Sequence, residues 1–213
     1  MISFLKNLIY YSFKSKYQKK IKNAEAFTRR KGLYKYPLSS YQLIDSSVQN
    51  LVDEISKTIQ NEVQKFDNTQ ISNAENFGQQ CANVHYSLLK FIKDFYTDLN
   101  AQLTIGGVGF GSQTIYKLDE TTFNNCIDNN IKPIPLNCHV WITIGNNIII
   151  DATLGTNLIT KSNKNSYGGI IYGYEGNLKW IKIDGVENIM PDKFNSLNYF
   201  PLALGGEAFS IIT

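Results

Sequence analysis

The spacing of apolar residues changes once along this chain, near residue 101, and that change restricts the fold more than any other feature. Before it, apolar residues recur at helical intervals. Val48, Leu51, Val52, Ile55, Ile59, Val63 and Phe66 form one stripe, in a helix that Asp45 can cap. Val84, Leu88, Phe91, Ile92 and Phe95 form another, in a helix that the pattern starts near Gly78 and ends near Leu99. After it come short runs rich in β-branched and aromatic residues: 101–108, 113–118, 138–144, 147–152, 169–174 and 178–184. Gly, Asn and Pro separate these runs. Residues 67–76 and 119–136 read as loops, the second carrying Pro133 and Pro135, and 191–213 reads as a tail ending in an apolar segment. Helices first and an antiparallel sheet afterwards give an α+β fold.

Charge divides the chain differently. Residues 1–35 hold ten Lys/Arg against one acid, Glu25, whereas the whole chain carries only +3. The body is therefore mildly acidic and wears a basic segment, which argues against nucleic acid as a partner. Within that segment Ile2, Leu5, Ile9, Phe13, Tyr17 and Ile21 keep helical spacing among lysines. The reading is a basic amphipathic arm over 1–35, docked on the body or contacting a membrane surface or a protein, and a second unit over 36–213. No run approaches the roughly 18 apolar residues of a membrane span, and the N-terminus lacks a signal-peptide cleavage pattern. The expected location is cytoplasmic, or exported without a Sec signal.

Three cysteines, Cys81, Cys126 and Cys138, are too few for a disulfide framework in 213 residues. Cys81 stands out because it falls in the first turns of a helix. A nucleophilic cysteine must be a thiolate, and a helix N-terminus and a nearby imidazole are the two devices that favour one. Gln79 or Gln80, with the Cys81 backbone N–H, could hold an oxyanion. The chain has two histidines, His85 and His139. His85, four residues beyond Cys81, reads as a helix-surface residue or one that supports the site from behind. His139 lies on the run CHVWITI, and Asp151 ends the next run, NIIID.

For Asp151 to orient His139, the two must share a sheet face. A two-residue loop of Gly145-Asn146 would pair His139 with Ala152 and turn Asp151 away. A three-residue loop, Gly145-Asn146-Asn147, pairs Ile144 with Ile148 and His139 with Thr153. Asp151 then lies diagonally from His139, with Cβ atoms roughly 5.5–7 Å apart. The triad requires the odd loop, and the residues to form one are present.

The stretches GQQC at 78–81, HVW at 139–141 and DAT at 151–153, in that order over residues 75–155, resemble the transglutaminase-like branch of the papain-like cysteine enzymes. That resemblance implies a papain-like core with the cysteine helix packed on an antiparallel sheet. It implies Cys81 as nucleophile, His139 as base and Asp151 as its orienter, with no cofactor. The strand pair HVWITIGNNIIIDA also resembles that of NlpC-type cell-wall endopeptidases, where the third polar residue is usually His instead of Asp. Trp141 and the D-x-T ending favour the transglutaminase-like branch. Trp141, Gly106 and Gly107 are candidates for the wall of a substrate cleft, the glycines of IGGVGFGS otherwise marking a bulge.

A zinc site is the rival use of Cys81, His85, Cys138 and His139, but Cys138 and His139 are adjacent on a strand and point to opposite faces. The resulting expectation is an enzyme that attacks a peptide, isopeptide or glutamine carboxamide through a thioester, as protease, amidase, deamidase or acyl transferase. A partner-binding domain of the same fold, without catalysis, and a docking protein driven by the basic arm are the alternatives.

Overall fold

The apolar runs after residue 100 pair into one antiparallel sheet, and helices cover both of its faces. The computed structural model describes residues 2–33 (side chains from Lys16 on), 74–97, 99–129, 137–160, 166–183 and 196–213, with single positions at 50, 53, 54, 57, 58 and 189. The helices are α1 (Ile2–Arg30), α2 (Ala74–Gln79), α3 (Cys81–Phe95), α4 (Glu120–Asn129), α5 (Leu154–Thr160) and α6 (Gly205–Ile212). The strands are β1 (Ala101–Phe110), β2 (Gln113–Tyr116), β3 (His139–Ile144), β4 (Ile148–Asp151), β5 (Ile170–Tyr174), β6 (Asn177–Ile181) and β7 (Leu197–Leu204). The expected helix after Asp45 lies mostly outside the described residues. No helix among those described is long and apolar enough to cross a membrane.

The sheet runs β2-β1-β3-β4-β5-β6, with β7 also on β1. Because β7 pairs Thr104 through Phe110 of β1, and β3 and β2 pair overlapping parts of the same strand, β3 and β2 must share the opposite edge. They lie there end to end. Gly106 pairs with His139 and Val108 with Tyr116, so those two rings stand two residues apart on one face. The β3–β4 hairpin closes through Gly145, Asn146 and Asn147, with Ile144 opposite Ile148 and Ile142 opposite Ile150. This is the odd loop that the triad requires, and Gly145 takes φ +61° in it.

Every residue of β3 is buried, as in a strand covered on both sides. Val140, Ile142 and Ile144 pack with Leu88, Leu89 and Ile92 of α3, together with Leu103 and Ile105 of β1. Trp141 belongs to the other core, with Ile149, Ile171, Tyr199 and Leu204, and that core is covered by Tyr17, Ile21 and Ala24 of α1. The basic N-terminal segment thus lies against the sheet, with Lys16, Lys19 and Lys22 turned to solvent. Its anchor is polar as well. Lys20 Nζ donates to Glu175 at 2.7 and 2.9 Å and to the Tyr199 carbonyl at 2.8 Å.

Four expectations are corrected. The cysteine helix begins at Cys81 instead of Gly78, because Gln80 (φ −92°, ψ 28°) breaks it from α2. The 119–136 loop contains α4, started by Asp119, whose Oδ1 accepts the Thr122 N–H at 2.8 Å. Residues 155–167, whose sequence suggests a cleft loop like 119–136, are helical over their first part, in α5. The tail contains β7 and α6, with Pro201 in β7 tolerated where the register on β1 shifts.

Candidate active site

Three elements converge where β3 begins and β4 ends. Alternation along β3 puts His139, Trp141 and Thr143 on the α1 side of the sheet, and Asp151 follows Ile149 onto the same side. The cysteine helix packs on the opposite side through Leu88, Leu89 and Ile92. Cys81, at the first position of α3, comes to the imidazole past the strand ends. The first bond of that helix runs from the Val84 N–H to the Gln80 carbonyl at 2.9 Å. The Cys81 N–H precedes it and has no partner inside the helix.

His139 and Asp151 are fully buried. His139 Nε2–H donates to Asp151 Oδ2 at 2.8 Å. Asp151 Oδ2 also accepts the Tyr199 hydroxyl at 2.9 Å. Its Oδ1 accepts the backbone N–H of Thr153 at 3.2 Å and of Leu154 at 3.0 Å. Burial alone would favour neutral forms of both groups. The pair outweighs it: the carboxylate holds His139 above the usual histidine range, and the imidazolium holds Asp151 below the usual carboxylate range. His139 Nδ1 is buried and makes no conventional hydrogen bond. The Cys81 thiol lies near enough to favour the charged ring. Tyr116 stacks on His139 with centroids 4.9 Å apart and planes at 18°, and Trp141 lies near-parallel to it at 6.2 Å. Aromatic faces beside an imidazolium favour its charge.

The remaining site candidates are placed as follows. Gln79 is exposed and Gln80 half-buried, and Gln80 Oε1 accepts Asn83 Nδ2 at 2.6 Å, which leaves the Gln80 amide N–H₂ as the donor. Trp141 forms no cleft wall: it is fully buried and its Nε1–H donates to the Tyr17 hydroxyl at 2.9 Å. Gly106 and Gly107 are also interior. A Cβ on Gly106 would stand 2.1 Å from the Phe200 carbonyl oxygen, and one on Gly107 2.8 Å from that of Tyr116. These glycines admit neighbouring backbone, and Gly106 marks the register shift against β7. Burial pushes the Cys138 thiol up to about 12, with the other two cysteines adding to the shift, and it raises Cys126 as well.

His85 is fully buried, not a surface residue. Its Nδ1 lies 2.7 Å from the Cys81 carbonyl and its Nε2 accepts the Ala152 N–H at 2.9 Å. A carbonyl must accept and an amide must donate, so the ring is the neutral Nδ1–H tautomer. Both nitrogens are committed to backbone, which removes His85 from any zinc set.

Sequence reasoning missed Tyr116, Tyr199 and Asn157. Asn157 Nδ2 donates to the Tyr116 hydroxyl. A Cβ at Gly78 would come 3.1 Å from the Asn157 backbone nitrogen, so the glycine before the cysteine helix lets α5 approach. Tyr116 was within reach of the sequence only through the shared edge of β1, and Tyr199 only through β7. Comparison with family models, curated proteins and solved structures returns no match for this chain.

Proposed function

We propose that this chain is a cysteine-dependent enzyme of the transglutaminase-like kind, which attacks an amide carbonyl with Cys81 and passes the acyl group through a thioester. One observation carries this reading: a buried imidazole has one nitrogen clamped by a carboxylate and the other unpaired, beside a half-buried cysteine that opens a helix.

The steps follow from the proton positions. His139 holds protons on both nitrogens while Cys81 is a thiolate. The sulfur attacks the carbonyl carbon of a peptide, isopeptide or glutamine carboxamide. Negative charge moves to the oxygen, which the Cys81 N–H and the Gln80 amide can meet. The carbon–nitrogen bond breaks as His139 Nδ1–H protonates the departing amine or ammonia. The neutral ring then takes a proton from water or from an acceptor amine, which attacks the thioester and frees Cys81. Asp151 keeps Nε2 protonated throughout, so the working nitrogen remains Nδ1. The exposed Lys16, Lys19 and Lys22 of α1 support a separate contact with an anionic partner.

The test is thiol alkylation with iodoacetamide at neutral pH, read site by site by mass spectrometry. Cys81 should react well ahead of Cys126 and Cys138, and His139→Ala should abolish that lead. A glutamine peptide, offered with and without a primary amine, then distinguishes transfer from hydrolysis by the mass of the product. Equal reactivity of the three thiols, unchanged by His139→Ala, overturns the proposal.

A further inference from the structure

His85 is a buried imidazole at this site that the reaction does not use. It sits a single helical turn from Cys81 and touches the backbone on both sides of the site. On one side Nδ1–H holds the carbonyl of the cysteine itself. On the other Nε2 holds the N–H of Ala152, the residue that follows Asp151. Ala152 opens the bend in which Thr153 and Leu154 turn their N–H groups onto Asp151 Oδ1. Cys81 opens a helix packed on one face of the sheet, Asp151 ends a strand of the sheet and points to the other face, and no strand pairing links them. The buried ring of His85 spans that gap.

We infer that His85 is a positioning residue: as a neutral imidazole it ties the Cys81 backbone to the Asp151–Ala152 bend and so fixes the spacing across which His139 meets the thiol. This rests on the triad reading above. The inference adds a dependence on pH. The groups facing the ring are Asp151, whose Oδ1 is 3.6 Å from Nε2, His139, whose ring centroid is 6.1 Å away, and Cys81 on its own helix. A proton on Nε2 removes the acceptor for the Ala152 N–H, where two donors then oppose each other. It also sets a second cation beside the His139 imidazolium and in competition for Asp151. Burial keeps that proton off until about pH 4.

The experiment compares the full-length chain with His85→Gln and His85→Leu. A carboxamide can donate to one backbone group and accept from another but does not titrate, whereas leucine does neither. The probe is 2,2′-dipyridyl disulfide, which reads thiols in acid, with site assignment by mass spectrometry. At pH 7, His85→Leu should slow Cys81 roughly tenfold or more, and His85→Gln should restore most of the rate. The ratio of the His85→Gln rate to the wild-type rate removes any pH dependence the two proteins share. That ratio should climb as pH falls from 6 through 4, because only the wild type loses its tether. A flat ratio with Cys81 still the fastest thiol in the wild type overturns the role of His85 and leaves the triad standing. If Cys81 has no lead over Cys126 and Cys138 in the wild type, the triad reading itself fails. Should His85→Leu not fold, the His85→Gln ratio decides alone.

Discussion

Asp151 carries more of the site than its nominal part of orienting one ring. It is completely buried and accepts four hydrogen bonds, from His139, Tyr199, Thr153 and Leu154. Two of these reach the oxygen that holds His139. Asp151→Asn keeps the shape but can offer only one oxygen, and its N–H₂ group must face a donor. Either His139 gives up its Nε2 proton or the bend at 152–154 loses its acceptor. Turnover should fall roughly 100- to 10,000-fold, as expected where an orienting carboxylate becomes an amide and the tautomer goes wrong. Cys81 itself is untouched, so some activity should remain. Tyr199→Phe isolates the smaller contribution. It deletes one bond to a buried carboxylate and should cost about 2 kcal/mol of stability in urea unfolding. Its loss of activity should be far smaller than that of Asp151→Asn, because His139 keeps its partner. Equal losses would mean that Tyr199 takes part in the chemistry.

Among the elements, α1 has the most to lose. It closes the core on the sheet face that carries His139 and Asp151, through Tyr17, Ile21 and Ala24. Tyr17 binds both the Trp141 indole and Thr143 on the strand that carries His139. The Lys20–Glu175 pair fixes its position. Glu175 is almost wholly buried, and its Oε1 also accepts the Tyr199 N–H at 2.8 Å. Removing the lysine alone strands a buried carboxylate, so Lys20→Met should cost about 2–3 kcal/mol. Lys20→Met combined with Glu175→Gln should recover much of that loss, and additive losses would show that the pair is not coupled. The sequence revealed the amphipathic pattern of this helix but not the pair, because residues 20 and 175 meet only after the sheet has formed. The odd β3–β4 loop was legible, since only one parity puts His139 and Asp151 on one face. The α4 helix was not, because ETTFNNCIDN is poor in strong helix formers; its available signal was Asp119 followed by Phe123, Cys126 and Ile127. Nor was β7, whose Pro201 argued against a strand. Tyr199, which grips Asp151, was lost with it.

At the scale of the whole molecule, three buried groups in one place give the fold a particular response to pH. His85 is held neutral, its pKa lowered to about 4 by burial, so the unfolded chain binds the extra proton once pH drops below about 6.5. That contribution to stability is whole above 6.5 and is lost as pH falls toward 4. Asp151, held low by the His139 charge, contributes stability that is whole above about 4 and is lost in stronger acid. His139 has the opposite sign. Its folded pKa is raised, so its contribution is whole below about 6.5 and declines as pH climbs toward that raised value. Lys20, which burial lowers, opposes this decline at its alkaline end. Stability from the site should therefore peak near neutrality and slope away on both sides. Urea midpoints measured between pH 4 and 9 should show that dome. His85→Gln removes the one of these three groups whose protonation differs between the folded and the unfolded chain from pH 4 to 6.5. It should flatten the acid slope in that window and leave the alkaline slope in place. Loss of both slopes in this variant would mean that His139 owes its charge to His85, not to Asp151. Neither slope changing would mean that His85 is already protonated in the folded chain, which the donor from Ala152 forbids.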